Sequence, residues 1–137
     1  MPMTLIAGYV AALVAFAGAD MIWLSATVER VYRPALGDIL ATTVNLPAAI
    51  AFYLIFPVGL TIFAVAPAVK AGAIGQAALY GGLFGLFAYS TYDLTNQATL
   101  RVWSTQLTVI DVAWGFALSG VAATVGYLAA SQFAAPA

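Results

Sequence analysis

Long uncharged stretches divide the sequence into four segments that are each long enough to cross a lipid bilayer. Residues 1–28 contain a single charge, Asp20, and residues 39–69, 71–92 and 112–137 contain none. A helix needs about 20 apolar residues to span a hydrocarbon core of roughly 30 Å, and its backbone amides must be hydrogen-bonded within the segment. The pattern therefore predicts an all-α fold, an integral membrane four-helix bundle.

The predicted helices form one transmembrane domain that covers residues 1–137. We place the four spans at residues 4–27, 43–66, 72–92 and 106–130. The connections between them then cover residues 28–42, 67–71 and 93–105. Pro57 lies in the middle of the second span, where its missing N–H and the clash of its ring with the preceding turn predict a kink.

Small residues recur at spacings of three or four on three of the spans. The stripes are Gly8, Ala12, Ala15 and Ala19 on the first, Ala77, Gly81 and Gly85 on the third, and Gly115, Ser119, Ala122 and Gly126 on the fourth. Such stripes let helices approach closely in a bilayer, where van der Waals packing holds helices together. We expect Tyr80, Phe84 and Phe87, on the opposite face of the third helix, to contact lipid or a partner.

The composition excludes several classes of function. Of the 137 residues 64% are hydrophobic, and four basic and five acidic residues give a net charge of −1. A soluble domain has about a quarter of its residues charged, and a nucleic-acid-binding surface needs a basic patch, so neither class fits. The chain has no Cys and no His, which removes disulfides, thiolate chemistry and the usual zinc and haem ligands. We therefore expect no cofactor and no metal ion.

Most of the charged residues gather at one end of the predicted bundle. The first and third connections lie on the same side, and together with the adjoining helix ends they hold all five acids and three of the four bases. An ionised Asp in mid-helix costs about 2.5–3.5 kcal/mol, so Asp20 and Asp111, which lie inside the spans, need partners or protons. On a helical wheel Asp111 lies on the small-residue face of its helix, which indicates that it faces protein.

Two Asp-x-x-Trp pairs, Asp20 with Trp23 and Asp111 with Trp114, lie on an ascending and a descending helix and could meet across the bundle. The candidate polar cluster comprises Asp20, Trp23, Arg30, Arg33, Asp93, Asn96, Arg101, Asp111 and Trp114. In this cluster the arginines are interpreted as counter-charges of the aspartates. Two interpretations stay open: the wall of a polar pocket near the lipid headgroups, or an interhelical network that fixes the packing.

Other aromatic residues lie near the ends of the predicted spans. We interpret Tyr32, Tyr53, Tyr92 and Trp103 as members of the aromatic belts that are common at membrane–water interfaces. This interpretation gives none of them a role in the polar cluster.

The segment from Tyr89 to Trp103, YSTYDLTNQATLRVW, is the least lipid-like part of the chain. The run from Gly82 to Leu100, which contains TYDLTNQATL, resembles DUF2177, a domain of unknown function that groups small bacterial membrane proteins. Further matching pieces are Asp20-x-x-Trp23-Leu24, Tyr32 with Leu36-Gly37, Phe52-Tyr53 and Asp111-x-x-Trp114-Gly115. The resemblance extends over nearly the whole chain. It implies a four-helix, multi-pass protein of the bacterial inner (cytoplasmic) membrane, and it implies no established activity.

Three functions stay open at this point. The first is to bind or handle a lipid or other apolar small molecule whose head is recognised by the Asp/Arg cluster; an enzyme version would use the carboxylates for acid–base chemistry. The second is a structural or assembly subunit of a larger membrane complex, and the third is a small proton-coupled carrier in which Asp20 and Asp111 titrate. The expected partners are membrane lipids, with a homo-oligomer or a larger complex as further alternatives.

Overall fold

The computed structural model describes residues 2–136 of the chain, and this part is helical except for short connections. Within it four helices follow one another: α1 Pro2–Ile39, α2 Leu46–Ala71, α3 Ile74–Thr99 and α4 Thr105–Ser131. No strand occurs in residues 2–136. The prediction of an all-α membrane bundle is confirmed. Met1 and Ala137, the ends of the predicted domain, lie outside the described residues.

Helices α1, α2 and α4 are long and apolar enough to cross a membrane. Helix α3 has the same length as α2, 26 residues, but its last two turns carry the polar sequence from Thr91 to Thr99. Its apolar part packs along α4, which makes α3 the fourth member of the bundle.

The helices extend further than the sequence predicted, so the predicted connections 28–42, 67–71 and 93–105 are wrong in their extent. The observed connections are residues 40–45, 72–73 and 100–104. Helix α1 continues past residue 27 through Leu36, where Arg33 pairs with Glu29 one turn earlier, with Nε and Oε2 2.9 Å apart. A short 3₁₀ turn at Gly37–Ile39 follows, and Gly37 has a φ of +55°. Helix α2 ends only at Gly72, whose φ of +64° is readily adopted by glycine.

Two π-helical turns widen the described helices, Val28–Tyr32 in α1 and Thr61–Val65 in α2. The second begins four residues after Pro57, which cannot donate a backbone hydrogen bond. The hydroxyl of Thr61 donates to the carbonyl oxygen of Pro57, 2.8 Å away, and the backbone N–H of Thr61 reaches the same oxygen. Where the sequence predicted a kink at Pro57, the structure has a widened turn just after it, and the helix continues through this turn.

Helix α4 lies at the centre of the bundle and contacts α1 and α3 through small residues. On the α3 side, a Cβ placed on Gly85 would overlap the carbonyl oxygen of Gly115 and the side chain of Ser119. On the α1 side, a Cβ on Gly126 would lie 2.9 Å from the carbonyl oxygen of Gly8. The backbones thus approach each other directly, as the stripes of small residues predicted.

The aromatic face of α3 differs in part from the prediction. Tyr80 and Phe87 are exposed, with 44% and 64% of their surface accessible. Phe84 is half-buried, and its ring centroid lies 5.2 Å from that of Phe56 on α2. Gly59 leaves the space for this ring, since a Cβ there would lie 2.5 Å from it. Phe84 therefore packs between α3 and α2, and only part of its ring is left to contact lipid.

Replacing Gly85 with Ala is expected to destabilise the bundle by about 1–3 kcal/mol, because the added methyl group must push α3 away from the α4 backbone. The matched control is Gly18→Ala, since nothing lies within 4 Å of a Cβ at that position. There we expect no loss, or a gain of up to about 1 kcal/mol from helix propensity. Unfolding free energies from SDS titration in mixed micelles, followed by circular dichroism, compare the variants. Equal effects at both positions would contradict this packing.

Candidate functional site

Asp20 and Asp111 lie buried on facing sides of the antiparallel helices α1 and α4, each with 7% of its surface exposed. The helices run in opposite directions, since Gly8 near the start of α1 lies against Gly126 near the end of α4. In this register Asp20 falls opposite Trp114. Each aspartate therefore faces the tryptophan of the other Asp-x-x-Trp pair.

Asp20 accepts two hydrogen bonds from side chains of other helices. The hydroxyl of Tyr53 donates to Oδ2 at 2.5 Å, and Nε1 of Trp114 donates to Oδ1 at 2.9 Å. Hydrogen bonds to a carboxylate are stronger than those between neutral groups, so these two donors stabilise a charge that no cation neutralises. Asp20 joins α1, α2 and α4 at one point.

Asp111 is the acceptor in a second chain of hydrogen bonds. The hydroxyl of Tyr32 donates to its Oδ1 at 2.5 Å, and Nε1 of Trp23 donates to the hydroxyl oxygen of Tyr32 at 3.2 Å. The indole rings of Trp23 and Trp114 stack with centroids 4.4 Å apart and an interplanar angle of 7°. The two Asp-x-x-Trp pairs thus form one network with the stacked rings at its centre.

The π-helical turn of α1 explains why Tyr32 reaches this network. The α1 residues that face the interior occur at every fourth position: Asp20, Leu24, Val28, Tyr32 and Leu36. In a regular α-helix with about 3.6 residues per turn, such a series drifts around the axis. A π-helical turn contains more residues than an α-helical turn, which reduces this drift. The turn Val28–Tyr32 therefore keeps the polar end of α1 facing inward.

Asp93 on α3 is fully buried, and neither of its carboxyl oxygens has a hydrogen-bond partner among the described residues. Its carboxyl group lies close to that of Asp111. Two ionised carboxylates repel each other, and neither can donate a hydrogen bond to the other. We call Asp93 and Asp111 the carboxyl pair.

No arginine lies beside these aspartates, so the prediction of arginine counter-charges is wrong. Within residues 2–136 the one salt bridge joins Arg33 to Glu29, and both side chains are exposed. Arg30 and Arg101 are also exposed. The physical reason is that α1 continues as a helix past residue 27, which places Arg30 and Arg33 on its outer side. Tyrosine hydroxyls and indole N–H groups stand where the cations were expected.

Two cavities meet at Asp111. The outer cavity, of about 370 Å³, lies between α2 and α3 and is lined by Phe52, Phe56, Ala88, Tyr89, Tyr92 and Asp111. The inner cavity, of about 260 Å³, is lined by Asp20, Leu24, Val28, Tyr32, Leu36, Leu40, Tyr89, Tyr92, Trp103, Asp111 and Trp114. Phe52 and Tyr92 are 39% and 58% exposed, so the outer cavity opens at the surface of the bundle.

A polar ladder fixes the α3–α4 connection beside the inner cavity. Nε1 of Trp103 donates to the hydroxyl of Thr108 at 3.0 Å, and this hydroxyl donates to Oε1 of Gln97 at 2.7 Å. The ring of Trp103 also contacts that of Tyr92 edge to face, with centroids 5.6 Å apart. The polar TYDLTNQATL segment thus supplies Asp93 and Tyr92 to the site and Gln97 to its support.

The structure brings together five of the nine predicted site residues. These are Asp20, Trp23, Asp93, Asp111 and Trp114. Arg30, Arg33 and Arg101 lie outside the group, and Asn96 is half-buried but lines neither cavity. In the described part of the chain no group of three acidic, Cys or His side chains is placed to hold a metal ion.

Sequence reasoning missed the tyrosines, because Tyr32 and Tyr53 were interpreted as members of a belt. The spacing of a regular helix does not mark Tyr32, since twelve residues turn it about 120° away from Asp20 and only the π turn brings it back. Tyr89 does have a signal, because it continues the four-residue spacing from Gly85 to Asp93. Nothing marks Tyr53 or Phe56. Their placement depends on how α2 and α3 pack.

A family model described as "Predicted membrane protein (DUF2177)" matches residues 5–128 of the chain. No curated protein and no solved structure match.

Replacing Tyr53 with Phe is expected to lower the free energy of unfolding by about 1.5–3 kcal/mol, because a buried carboxylate loses one of its two donors. Tyr80→Phe is the matched control, since that side chain is exposed and the same change there should stay within about 0.5 kcal/mol of the parent protein. Both values come from SDS titration in mixed micelles. If Tyr53→Phe is as harmless as the control, the hydrogen bond to Asp20 does not stabilise the bundle.

Proposed function

The chain belongs to the DUF2177 family of predicted membrane proteins, and we propose that it binds a lipid or other apolar small molecule in the outer cavity. The polar end of this molecule would rest on Asp111. The observation that carries the proposal is that two cavities with aromatic walls meet at one buried carboxylate. Membrane lipids as partners and the bacterial inner membrane as location belong to the same proposal.

The walls of the outer cavity suit the apolar part of such a molecule. Phe52, Phe56, Tyr89 and Tyr92 present aromatic rings, and Ala88 leaves room between them. The volume of about 370 Å³ lies within the range of roughly 300–1,000 Å³ that is common for small-molecule sites. Because the cavity opens between two helices of the bundle, a molecule dissolved in the membrane enters it without crossing water.

Asp111 offers an acceptor to the polar part. Tyr32 donates to its Oδ1, and no hydrogen bond from a side chain or backbone group of residues 2–136 reaches its other oxygen. Asp111 also lines both cavities. A donor group on the ligand would supply a hydrogen bond that the bundle itself does not provide.

A purely structural network accounts for Asp20 better than for the carboxyl pair. Asp20 has a donor on each oxygen and joins three helices, as expected of a group that fixes packing. Asp93 has no donor on either oxygen in the described structure and lies close to Asp111, which lines both cavities. Buried polar groups without partners are costly, so their retention beside a cavity favours a binding role.

Replacing Ala88 with Phe should fill the outer cavity and reduce the apolar molecule that co-purifies with the protein by roughly 10-fold, the loss that about 1.4 kcal/mol of binding free energy produces. Ala113→Phe is the matched control, since that residue is exposed on α4 and lines neither cavity. The measurement is mass spectrometry of organic extracts from protein purified in a maltoside detergent.

Two other results would contradict the proposal. Equal retention in both variants would place the molecule elsewhere on the protein. A stable protein partner at fixed stoichiometry, with no small molecule in the extract, would support the alternative of an assembly subunit.

A proton-coupled carrier is a second candidate, and the π-helical turns favour it. The turn Val28–Tyr32 adjoins the inner cavity, and Thr61–Val65 lies in α2 beyond the outer one. Such irregular turns are common at functional sites, and broken helices are typical of transporters. For a carrier, proteoliposomes with an imposed pH gradient should accumulate the co-purified molecule, and collapse of the gradient should stop uptake. Uptake that is independent of the pH gradient would contradict this role.

A further inference from the structure

The proposed function leaves the chemistry of the ligand's polar end undefined, and the charges of the site define it. Resting on that function, we propose that the polar end is the ammonium group of an apolar amine, which contacts Asp111 and the aromatic rings of the outer cavity. The amine would bring the positive charge that the site itself lacks.

The groups that face Asp111 are acidic or neutral on every helix. They are Asp20 and Tyr32 on α1, Phe52 and Phe56 on α2, and Tyr89, Tyr92 and Asp93 on α3. No Lys or Arg of the described chain pairs with any of them. A low-dielectric site with this set of charges attracts a cation and repels a phosphate or carboxylate. An anionic lipid head is therefore a poor fit.

Aromatic rings surround the place where the cation would lie. Phe56 and Tyr89 are arranged edge to face, with centroids 6.2 Å apart and an interplanar angle of 85°, and both line the outer cavity. Tyr92 lines it as well. Aromatic faces attract ammonium groups, and quaternary ammonium ions are recognised by such rings in many proteins. A neutral apolar ligand would use the same rings without the electrostatic gain.

Asp93 adds a second carboxyl group next to Asp111. Its side chain has no exposed surface, and both of its oxygens are without a donor in residues 2–136. Asp93 lines neither cavity, so a bound cation would act on it through Asp111. A positive charge beside Asp111 reduces the repulsion between the two carboxyl groups.

The test compares two probes on the purified full chain in neutral maltoside micelles. One is phenylbutyltrimethylammonium, and the other is its uncharged isostere with a tert-butyl group in place of the trimethylammonium. We expect the cation to bind roughly 10-fold more tightly or better, since aromatic faces and a carboxylate attract an ammonium group in a desolvated site. Isothermal titration calorimetry gives both affinities.

Asp111→Asn should remove the preference for the cation, while the isostere still binds. Asp38→Asn is the matched control, because it makes the same chemical change at an exposed position outside both cavities. Ala88→Lys tests the site without removing an acid. Its ammonium group would lie beside Asp111 and abolish cation binding. Ala88→Met adds similar bulk without charge and should reduce both probes alike.

The outcomes separate this inference from the proposed function. If both probes bind equally and Ala88→Phe weakens both, an apolar molecule is bound but its head is not an ammonium group, and the inference is wrong. If neither probe binds and Ala88→Phe retains the co-purified molecule, the proposed function itself is wrong. Cation binding that survives unchanged in Asp111→Asn and Ala88→Lys would also overturn the inference.

Discussion

The constraint on which this structure depends is the burial of three carboxyl groups in a lipid-surrounded bundle that offers them no cation. An ionised side chain in such a place must be stabilised by donors or neutralised by a proton. Asp20 follows the first route, with Tyr53 and Trp114 as donors. Asp93 has no donor in the described chain and depends on the second. The contrast separates a residue that joins helices from a pair that is left incomplete.

The architecture could be predicted from the sequence because lipid imposes strict rules on length and backbone hydrogen bonding. The four segments, the close approach of helices at Gly85 and Gly126, and the facing Asp-x-x-Trp pairs all follow from spacing along the chain. The helix ends could not be predicted in the same way. Charged residues were taken as the ends of helices, whereas Glu29 and Arg33 support one another within α1.

The site could be predicted only in part, since a spacing rule finds residues on one helix but not the donors on its neighbours. Arginine was the expected partner of Asp20 and Asp111 because it carries the opposite charge. The structure uses Tyr32, Tyr53 and two indoles instead. Tyr53 reaches Asp20 through the packing of α2 on α1, and Tyr32 reaches Asp111 through a π turn, and neither event has a marked periodicity in the sequence.

The short connection between α2 and α3 has a mechanical consequence. Only residues 72–73 join these helices, so their ends at Ala71 and Ile74 stay together, while the outer cavity lies toward their far ends at Phe52 and Tyr92. The ring of Phe84 against Gly59 lies between the two. The helix pair is therefore joined covalently at one end only, and a rotation about residues 72–73 would change the width of the outer cavity more than the spacing at Phe84.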